Sequence, residues 1–378
     1  MVKSPVSIDC LTIAPLFTAK ILGVRILASD LDSGTADHVR TTGPRMQGVQ
    51  RLTSKLLSQI NIMLHAAPTS AIHTDHPKPV QPPTSKMTPR LLNKLDTIHH
   101  IEDAHVLHLS RQVEVFMQLL PRDNISLHPV AAGGVVYLTK AHLGSQINCT
   151  LGLGMKGLVT SNDIEQLEAL HTTADLTPSI LLCPYADQSA LQALAMRSYV
   201  LDGFLNIYAR SLHDIHVEID PYMSFAEDLT FGPEMIVSRG AANEENGSTF
   251  IHASVAGFKD DGRPVDVLAS LAESAVLRRD TILYFAKIDG QIAGCGAMAL
   301  METQYGKIAH LYIDSTTPNF RGRGVQRALI RARLNDAKSL GYDFSTIHCL
   351  PSIGTGRNAE KEGFGLAFTK PMMTKKLD

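Results

Sequence analysis

The sequence predicts an α/β chain of two similar blocks in tandem, behind an extension with no clear period. Three observations predict it. From about residue 90 onward, apolar runs of strand length alternate with segments of helical spacing. Asp289-Gly290 stands between two alternating apolar runs, a strong hairpin signal. Finally, CPYADQSALQALAMRSYVLDGF and CLPSIGTGRNAEKEGFGLAF both run cysteine, proline, polar turn, short helix, aromatic residue and final strand, which reads as an internal duplication.

A length of 378 residues fits two or three domains. With 35 basic against 37 acidic residues, 44% hydrophobic and 19% charged, the composition is that of an ordinary globular protein, and nothing in it points to nucleic acid or a membrane surface as partner. Cys10, Cys149, Cys183, Cys295 and Cys349 are odd in number, far apart and without a C-x-x-C pair, so they read as reduced thiols. No apolar run approaches the roughly 18 to 20 residues that span a bilayer. Lys20 interrupts the apolar stretch near the start, and no clean cleavage pattern follows. A cytoplasmic location is the resulting expectation.

In chain order, residues 1–65 hold one expected helix, over 46–64, and have no role legible in their sequence. The proline-rich tract that follows favours extended, solvated backbone, and residues 66–86 are read as a linker. The first block, 87–212, opens with one or two helices over 90–120, closed by Pro121. HPVAAGGVVYLT, QINCTLGLG and PSILLCPYA read as strands, with a helix at SNDIEQLEALH whose N-cap is Ser161 or Asn162. QSALQALAMRS is a further helix and FLNIYARSL the closing strand. The second block, 213–378, starts at HVEIDP and holds a helix at VDVLASLAESAVLRR, then the hairpin, then the strand KIAHLYID. A helix at ALIRARLNDAKSLG ends at Gly341, and FSTIHCLP, a short helix and GFGLAFTK complete the block. Residues 221–263 read as irregular.

Two glycine patterns invite a phosphate reading. Gly152, Gly154 and Gly157 match the G-x-G-x-x-G spacing of a dinucleotide loop, yet they precede the next helix rather than opening it, and they read as a strand end and turn. NFRGRGVQRALI is different. It follows the strand KIAHLYID across the polar bridge STTP, enters a helix, and puts three arginines and two glycines into twelve residues with no acid. Amides at a helix N-terminus, kept open by Gly322 and Gly324, favour an anion, and Arg321 and Arg323 supply charge in fork geometry. Arg327, Arg331 and Arg333 are expected on the exposed face of that helix. The absence of G-K-[ST] excludes a Walker loop.

These residues resemble the GNAT superfamily of acyl-coenzyme A-dependent N-acetyltransferases, over about residues 214–369, with TTPNFRGRGVQRALIRARL and RNAEKEGF as the most specific pieces. The first block resembles the degenerate N-terminal copy of tandem members, lacking an arginine-glycine loop. The resemblance implies two tandem GNAT-like domains, each a mixed, mostly antiparallel sheet flanked by helices, with acetyl-CoA as acyl donor in the second. Its pyrophosphate is expected on Arg321, Gly322, Arg323, Gly324, Val325 and Gln326, and its pantetheine arm along Ser315 and Thr316. Asn358 occupies a position that commonly contacts that arm. Gln326 stands where the motif has Gly or Ala, and Ala359 where many members have a tyrosine that protonates the thiolate.

The implied activity is acetyl transfer to the amine of a small molecule by direct attack, with no nucleic-acid or membrane partner. The rivals are hydrolysis, decarboxylation or rearrangement on the same scaffold, or acyl-CoA binding without catalysis. A base working near neutrality favours histidine, and His310 is the candidate, with Tyr312 and Asp314 on its face by alternation. Ser352 is a candidate to replace the missing tyrosine. His73, Asp75 and His76 read as incidental, and no metal is expected. His99, His100, His105 and His108 are expected on a polar or half-buried helix face, and Cys349 as a buried, inert thiol.

Overall fold

The structure is a computed structural model that describes residues 94–213, 229–230, 235–241, 243–260 and 262–376. The chain divides into two units, Met1–Gln81 and Pro82–Asp378, and every described residue belongs to the second. The expected helix over 46–64, the linker, the strand HVEIDP and His73, Asp75 and His76 lie outside the described residues.

The first helix, α1 (Leu95–Leu119), is continuous over 25 residues, and its C-cap Leu120 immediately precedes Pro121. Strands β1 (Ser126–Pro129) and β2 (Val135–Leu138) divide the expected HPVAAGGVVYLT strand into a hairpin, because Ala132 (φ 55°) and Gly133 (φ 86°) turn the chain between them. Only β3 (Thr150–Leu151) of QINCTLGLG is extended, since Gly152 and Gly154 have positive φ. Helix α2 (Ser161–Thr173), strand β4 (Ser179–Leu181), helix α3 (Gln188–Met196) and strand β5 (Tyr199–Ser211) complete the first half. The N-cap of α2 is Thr160, one residue ahead of expectation: its hydroxyl accepts from Asp163 N while Asp163 accepts from Thr160 N, a closed capping box.

The second half runs β6 (Leu229–Thr230), β7 (Met235–Arg239), α4 (Glu244–Phe258), α5 (Val265–Leu277), β8 (Thr281–Ile288), β9 (Gln291–Thr303), β10 (Gly306–Thr316), α6 (Val325–Ser339), β11 (Phe344–Cys349), α7 (Gly354–Lys361) and β12 (Gly365–Lys375). The hairpin at Asp289-Gly290 is present, both residues having positive φ, as a two-residue turn between twisted strands requires. Helix α4 replaces part of the segment read as irregular. Asn243 caps it by accepting from Asn246 N, and Phe250 anchors it as a fully buried side chain.

The twelve strands among the described residues form one sheet in the order β1-β2-β3-β4-β12-β5-β11-β10-β9-β8-β7-β6. It is mixed and mostly antiparallel. The parallel neighbours are β3 with β4 and β10 with β11. The two closing strands are exchanged: β5 of the first half pairs with β11 of the second, and β12 of the second pairs with β4 of the first. Between them β5 and β12 pair along nearly their whole length. Helices α1 and α5 bury Ile98, Ile101 and Val267 against one face with Ile308 and Ile207, whereas α6 buries Leu329 and Ile330 on the other with Leu311 and Ile347. Each such side chain contributes about 1.5 to 3 kcal/mol. No described helix is long and apolar enough to cross a membrane.

Candidate functional site

Strands β10 and β11 run parallel from Ile308↔Phe344 to Leu311↔Ile347 and then part. On its other side β10 changes register with β9 between Tyr312 and Ser315, and Ile313 takes φ 50°, a left-handed bulge residue. Thr317 N–H donates to Ala293 O at 3.0 Å toward β9. The N–H of Thr316 therefore points to the opposite edge, where β11 has turned away. Among the described residues, Thr316 thus lies on an edge of β10 that β11 does not pair, while Ser315 faces β9. The Ser315 side chain points elsewhere: it is buried and donates to the Ala253 and Ser254 carbonyls of α4.

Helix α4 reaches that edge because residue 257 has no side chain. A Cβ at Gly257 falls 1.9 Å from Ser315 Oγ and 2.9 Å from Thr316 N. Gly257→Ala is expected to push α4 off β10 and cost about 1 to 3 kcal/mol, as overpacking does, read by urea unfolding.

The turn after β10 ends in Gly322 (φ 80°) and Gly324 (φ 81°), and a Cβ at either would meet nothing within 4 Å. Gly324 is the N-cap of α6 and supplies no side-chain acceptor, so the first amides of the helix have no side-chain cap among the described residues. Arg321 donates to Gly257 O at 3.0 Å and to Asp260 at 3.1 Å. The Arg323 guanidinium lies 5.6 Å from the Phe320 ring centroid. The side chain of Gln326 turns away from the loop to donate to Thr355 Oγ1 (3.1 Å) and accept from Asn358 Nδ2 (2.6 Å), which ties the starts of α6 and α7 together and leaves the Gln326 amide unobstructed. Arg321, Gly322, Arg323, Gly324, Val325, Gln326 and Asn358 are thus brought into one region.

The arginine-rich face of α6 needs one correction. Arg327 and Arg331 donate to Glu362 at 2.6 Å each, but Arg333 is wholly buried, paired with Asp314 and donating to Ala297 O and Leu329 O. Position 333 is two residues beyond Arg331 and so points off that face, into the sheet.

In the first half the starts of α2 and α3 are closed, whereas α1 has no side-chain cap at Lys94. The Thr160 and Asp163 box caps α2, and Asp187 caps α3 by accepting from Ser189 N at 2.9 Å. A Cβ at Gly152 would lie 2.8 Å from Gly133 O, and one at Gly154 would lie 3.1 Å from Ala190 Cβ, so that glycine loop is filled by its own chain.

The expected catalytic residues separate. His310 and Tyr312 face α1, in a buried row of polar groups. Ring centroids are 4.3 Å apart for His105 and His348, 4.3 Å for His348 and His310, and 4.5 Å for His310 and His108. Lys370 Nζ lies 3.0 Å from His105 Nδ1 and 2.6 Å from Glu102, off the ideal hydrogen-bond direction of that carboxylate. At the other end Arg278 donates to His108 O (3.1 Å) and to Asp280, which also holds Arg111 at 2.6 Å. His310 is 5% exposed, and burial, helped by the charges of Arg278 and Arg333, pushes its imidazole down to about 3. Such a group holds a proton too weakly to serve as the base near neutrality. Burial likewise pushes the Tyr312 phenol up to about 12.

Ser352 sits apart, in the turn between β11 and α7. It lines a cavity of about 390 Å³ with Asn206, Tyr208 and Arg357 on the α6 and α7 side of the sheet. Cys349 is buried and its thiol is pushed up to about 11 by burial, consistent with an inert group. Ala359 is fully buried and places no acid near the strand opening. His348, Arg278, Lys370 and Glu102 were not singled out from the sequence. The spacing of Glu102, His105 and His108, three residues apart on one helix face, was the available signal.

Residues 250–356 match the family model for the acetyltransferase (GNAT) family. No curated protein matches the chain. Among solved structures the chain is similar to a GCN5-related N-acetyltransferase from Kribbella flavida, at 11% identity over 70% of this chain and 95% of that one, with a TM-score of 0.47. A functionally unknown conserved protein from Staphylococcus epidermidis is 13% identical over 68% and 95% of the two chains, with a TM-score of 0.44. A GCN5-related N-acetyltransferase from Sphaerobacter thermophilus is 14% identical over 53% and 59%, with a TM-score of 0.38. Residues 250–356, which contain the parting strands, the arginine-glycine turn and the open start of α6, are a domain of the GNAT acetyltransferase family.

Proposed function

We propose that the second half transfers an acetyl group from acetyl-CoA to an amine of a small molecule by direct attack. The observation that carries this reading is the uncapped start of α6 behind Gly322 and Gly324, next to an unpaired strand edge. An open helix start flanked by guanidinium groups suits a pyrophosphate, and a free strand edge suits the amide-bearing arm that follows it in coenzyme A. To backbone amides at the Ile313 bulge this reading assigns the polarising of the thioester carbonyl, which the break in register there supports.

Residues 87–212 are read as a degenerate copy of the same unit. Support comes from the strand order, which matches for four strands outward on each side of the β12 and β5 pair, and from the parallel pair in each half. With the starts of α2 and α3 capped and its glycine loop filled, this copy is read as offering no second donor site after a glycine turn.

Removing Arg321 and Arg323 tests the donor assignment. A hydrogen bond to a charged group contributes about 1.5 to 3 kcal/mol, so Arg323→Ala with Arg321→Ala is expected to weaken acetyl-CoA binding by at least about tenfold in calorimetry. Unchanged affinity contradicts the assignment. Release of coenzyme A that depends on added amine supports transfer. Turnover of another substrate with no acyl donor contradicts it.

A further inference from the structure

We propose that the cavity between β5 and α7 holds the acceptor, and that the acceptor is a small aminocarboxylic acid. This rests on the transferase reading above and names the substrate class for it. The cavity, of about 390 Å³, stands at the small end of the range for ligand sites and suits a molecule of amino-acid size. Cys349, which lines it, is the second residue of β11 beyond the last pair with β10, roughly 7 Å along the strand. The cavity therefore adjoins the place where the two strands part, on the face of the sheet that α6 covers.

Both halves build it. Asn206 and Tyr208 come from β5, the strand that the first half places beside β11, whereas Arg357 and Glu360 come from α7 of the second. The Tyr208 hydroxyl donates to Glu360 Oε1 at 3.2 Å, which fixes that carboxylate on the wall. Gly356 permits the approach, since a Cβ there would fall 2.9 Å from the Tyr208 hydroxyl oxygen. The opposite face of α7 carries Asn358, which donates to Gln326 of α6 at 2.6 Å. One helix thus divides the expected pantetheine arm from the cavity, and the two come together at its start, beside Ser352. That serine holds φ 66°, a strained conformation of the kind that collects at functional turns.

The lining sets the class. Arg357 is exposed and makes no hydrogen bond or ion pair with a described residue, although Glu360 stands one turn along the same helix. Its guanidinium can take a carboxylate in two parallel hydrogen bonds. Glu360 accepts from Tyr208 and keeps capacity for an N–H donor such as an amine. Leu350 and Ile353, 42% and 44% exposed, supply apolar wall for the methylenes of the acceptor. Arg357 alone would also admit a phosphate, which the Glu360 charge opposes. The cavity is asked only to hold and orient the neutral amine. As its nitrogen bonds to the acetyl carbon the C–S bond breaks with its electron pair on sulfur, the amine proton passes to water, and water protonates the thiolate.

The test uses the full chain, acetyl-CoA and a panel of glycine, alanine, lysine and 4-aminobutanoate, each beside its carboxamide, with hydroxylamine as an amine small enough to reach the donor without recognition. At least one free acid is expected to release coenzyme A with a kcat/KM about tenfold or more above that of its carboxamide, the scale of one hydrogen-bonded charge. Arg357→Gln is expected to raise KM for that acid about tenfold, with the carboxamide and acetyl-CoA affinity unaffected, and Arg357→Lys to recover part of the loss. Carboxamides that match the acids, or an Arg357→Gln variant that shifts both alike or neither, overturn the proposal. An amino acid that binds in calorimetry and is not acetylated overturns the acceptor role. Release to hydroxylamine alone overturns the acceptor class and leaves the transferase reading standing. Donor binding with no release to any amine contradicts the transferase reading itself.

Discussion

Between pH 7 and pH 5 the protein is expected to lose most of its stability, with unfolding taking up about four protons. His105, His108, His310 and His348 are all held well below their ordinary value, chiefly by burial and then by neighbouring charges such as Lys370 and Arg278. In the unfolded chain each titrates near 6.5. A group whose folded value is depressed in this way costs nothing above about pH 6.5. Below that the unfolded chain gains protons that the fold refuses, and stability falls with pH. Each histidine then contributes a loss of about 2 kcal/mol at pH 5, or roughly 8 kcal/mol for the row, against a usual total of about 5 to 15 kcal/mol. His171, also buried and lowered, acts in the same direction. Urea unfolding at a series of pH values measures the slope. Replacing His105 and His108 with glutamine is expected to remove about half of the row's share of it, whereas a stability that stays flat from pH 7 to 5 contradicts the enclosed, neutral row.

Lys370→Met is expected to destabilise by about 3 to 5 kcal/mol, because it strands the Glu102 carboxylate. Lys370 and Glu102 are 0% and 1% exposed and 2.6 Å apart, linking β12 to α1. Glu102 also accepts from Gly152 N at 3.3 Å, so its charge bears on the turn after β3 as well. The pair need not be a large net stabiliser, since two buried charges lose their hydration. The informative variant is therefore the double one. Lys370→Met with Glu102→Gln removes both charges and is expected to recover most of the loss, measured by thermal and urea unfolding. If the single variant costs less than about 1 kcal/mol, the pair is not enclosed as described.

Much of the site was legible because it is local in sequence. The strand, turn and helix from Lys307 to Ser339 are consecutive, and the glycines with positive φ fall where R-G-R-G placed them. Helix α4 was missed because Gly247 and Gly257 lower its helical propensity. Both glycines serve packing, since a Cβ at 247 would strike Val276 and one at 257 would strike Ser315. The placement of Arg333 was legible in principle. Arg327 and Arg331 are four apart and share a face, whereas residue 333 is rotated away from it.

The histidine row was beyond sequence reading for a different reason. His105 and His348 are far apart in the chain and meet only because α1 lies across β10, β11 and the exchanged strand β12. Strand order of that kind is set by tertiary packing of two halves, and alternation within a strand carries no record of which strand lies beside it. His310 was accordingly read from its own strand as the candidate base, and its neighbours enclose it.

Native mass spectrometry of the full chain with acetyl-CoA tests the central claim most directly. The open start of α6 and the closed starts of α2 and α3 predict one donor molecule per chain, lost when Arg321 and Arg323 are replaced by alanine. No bound donor, or two per chain, contradicts the assignment of a single donor site to the second half.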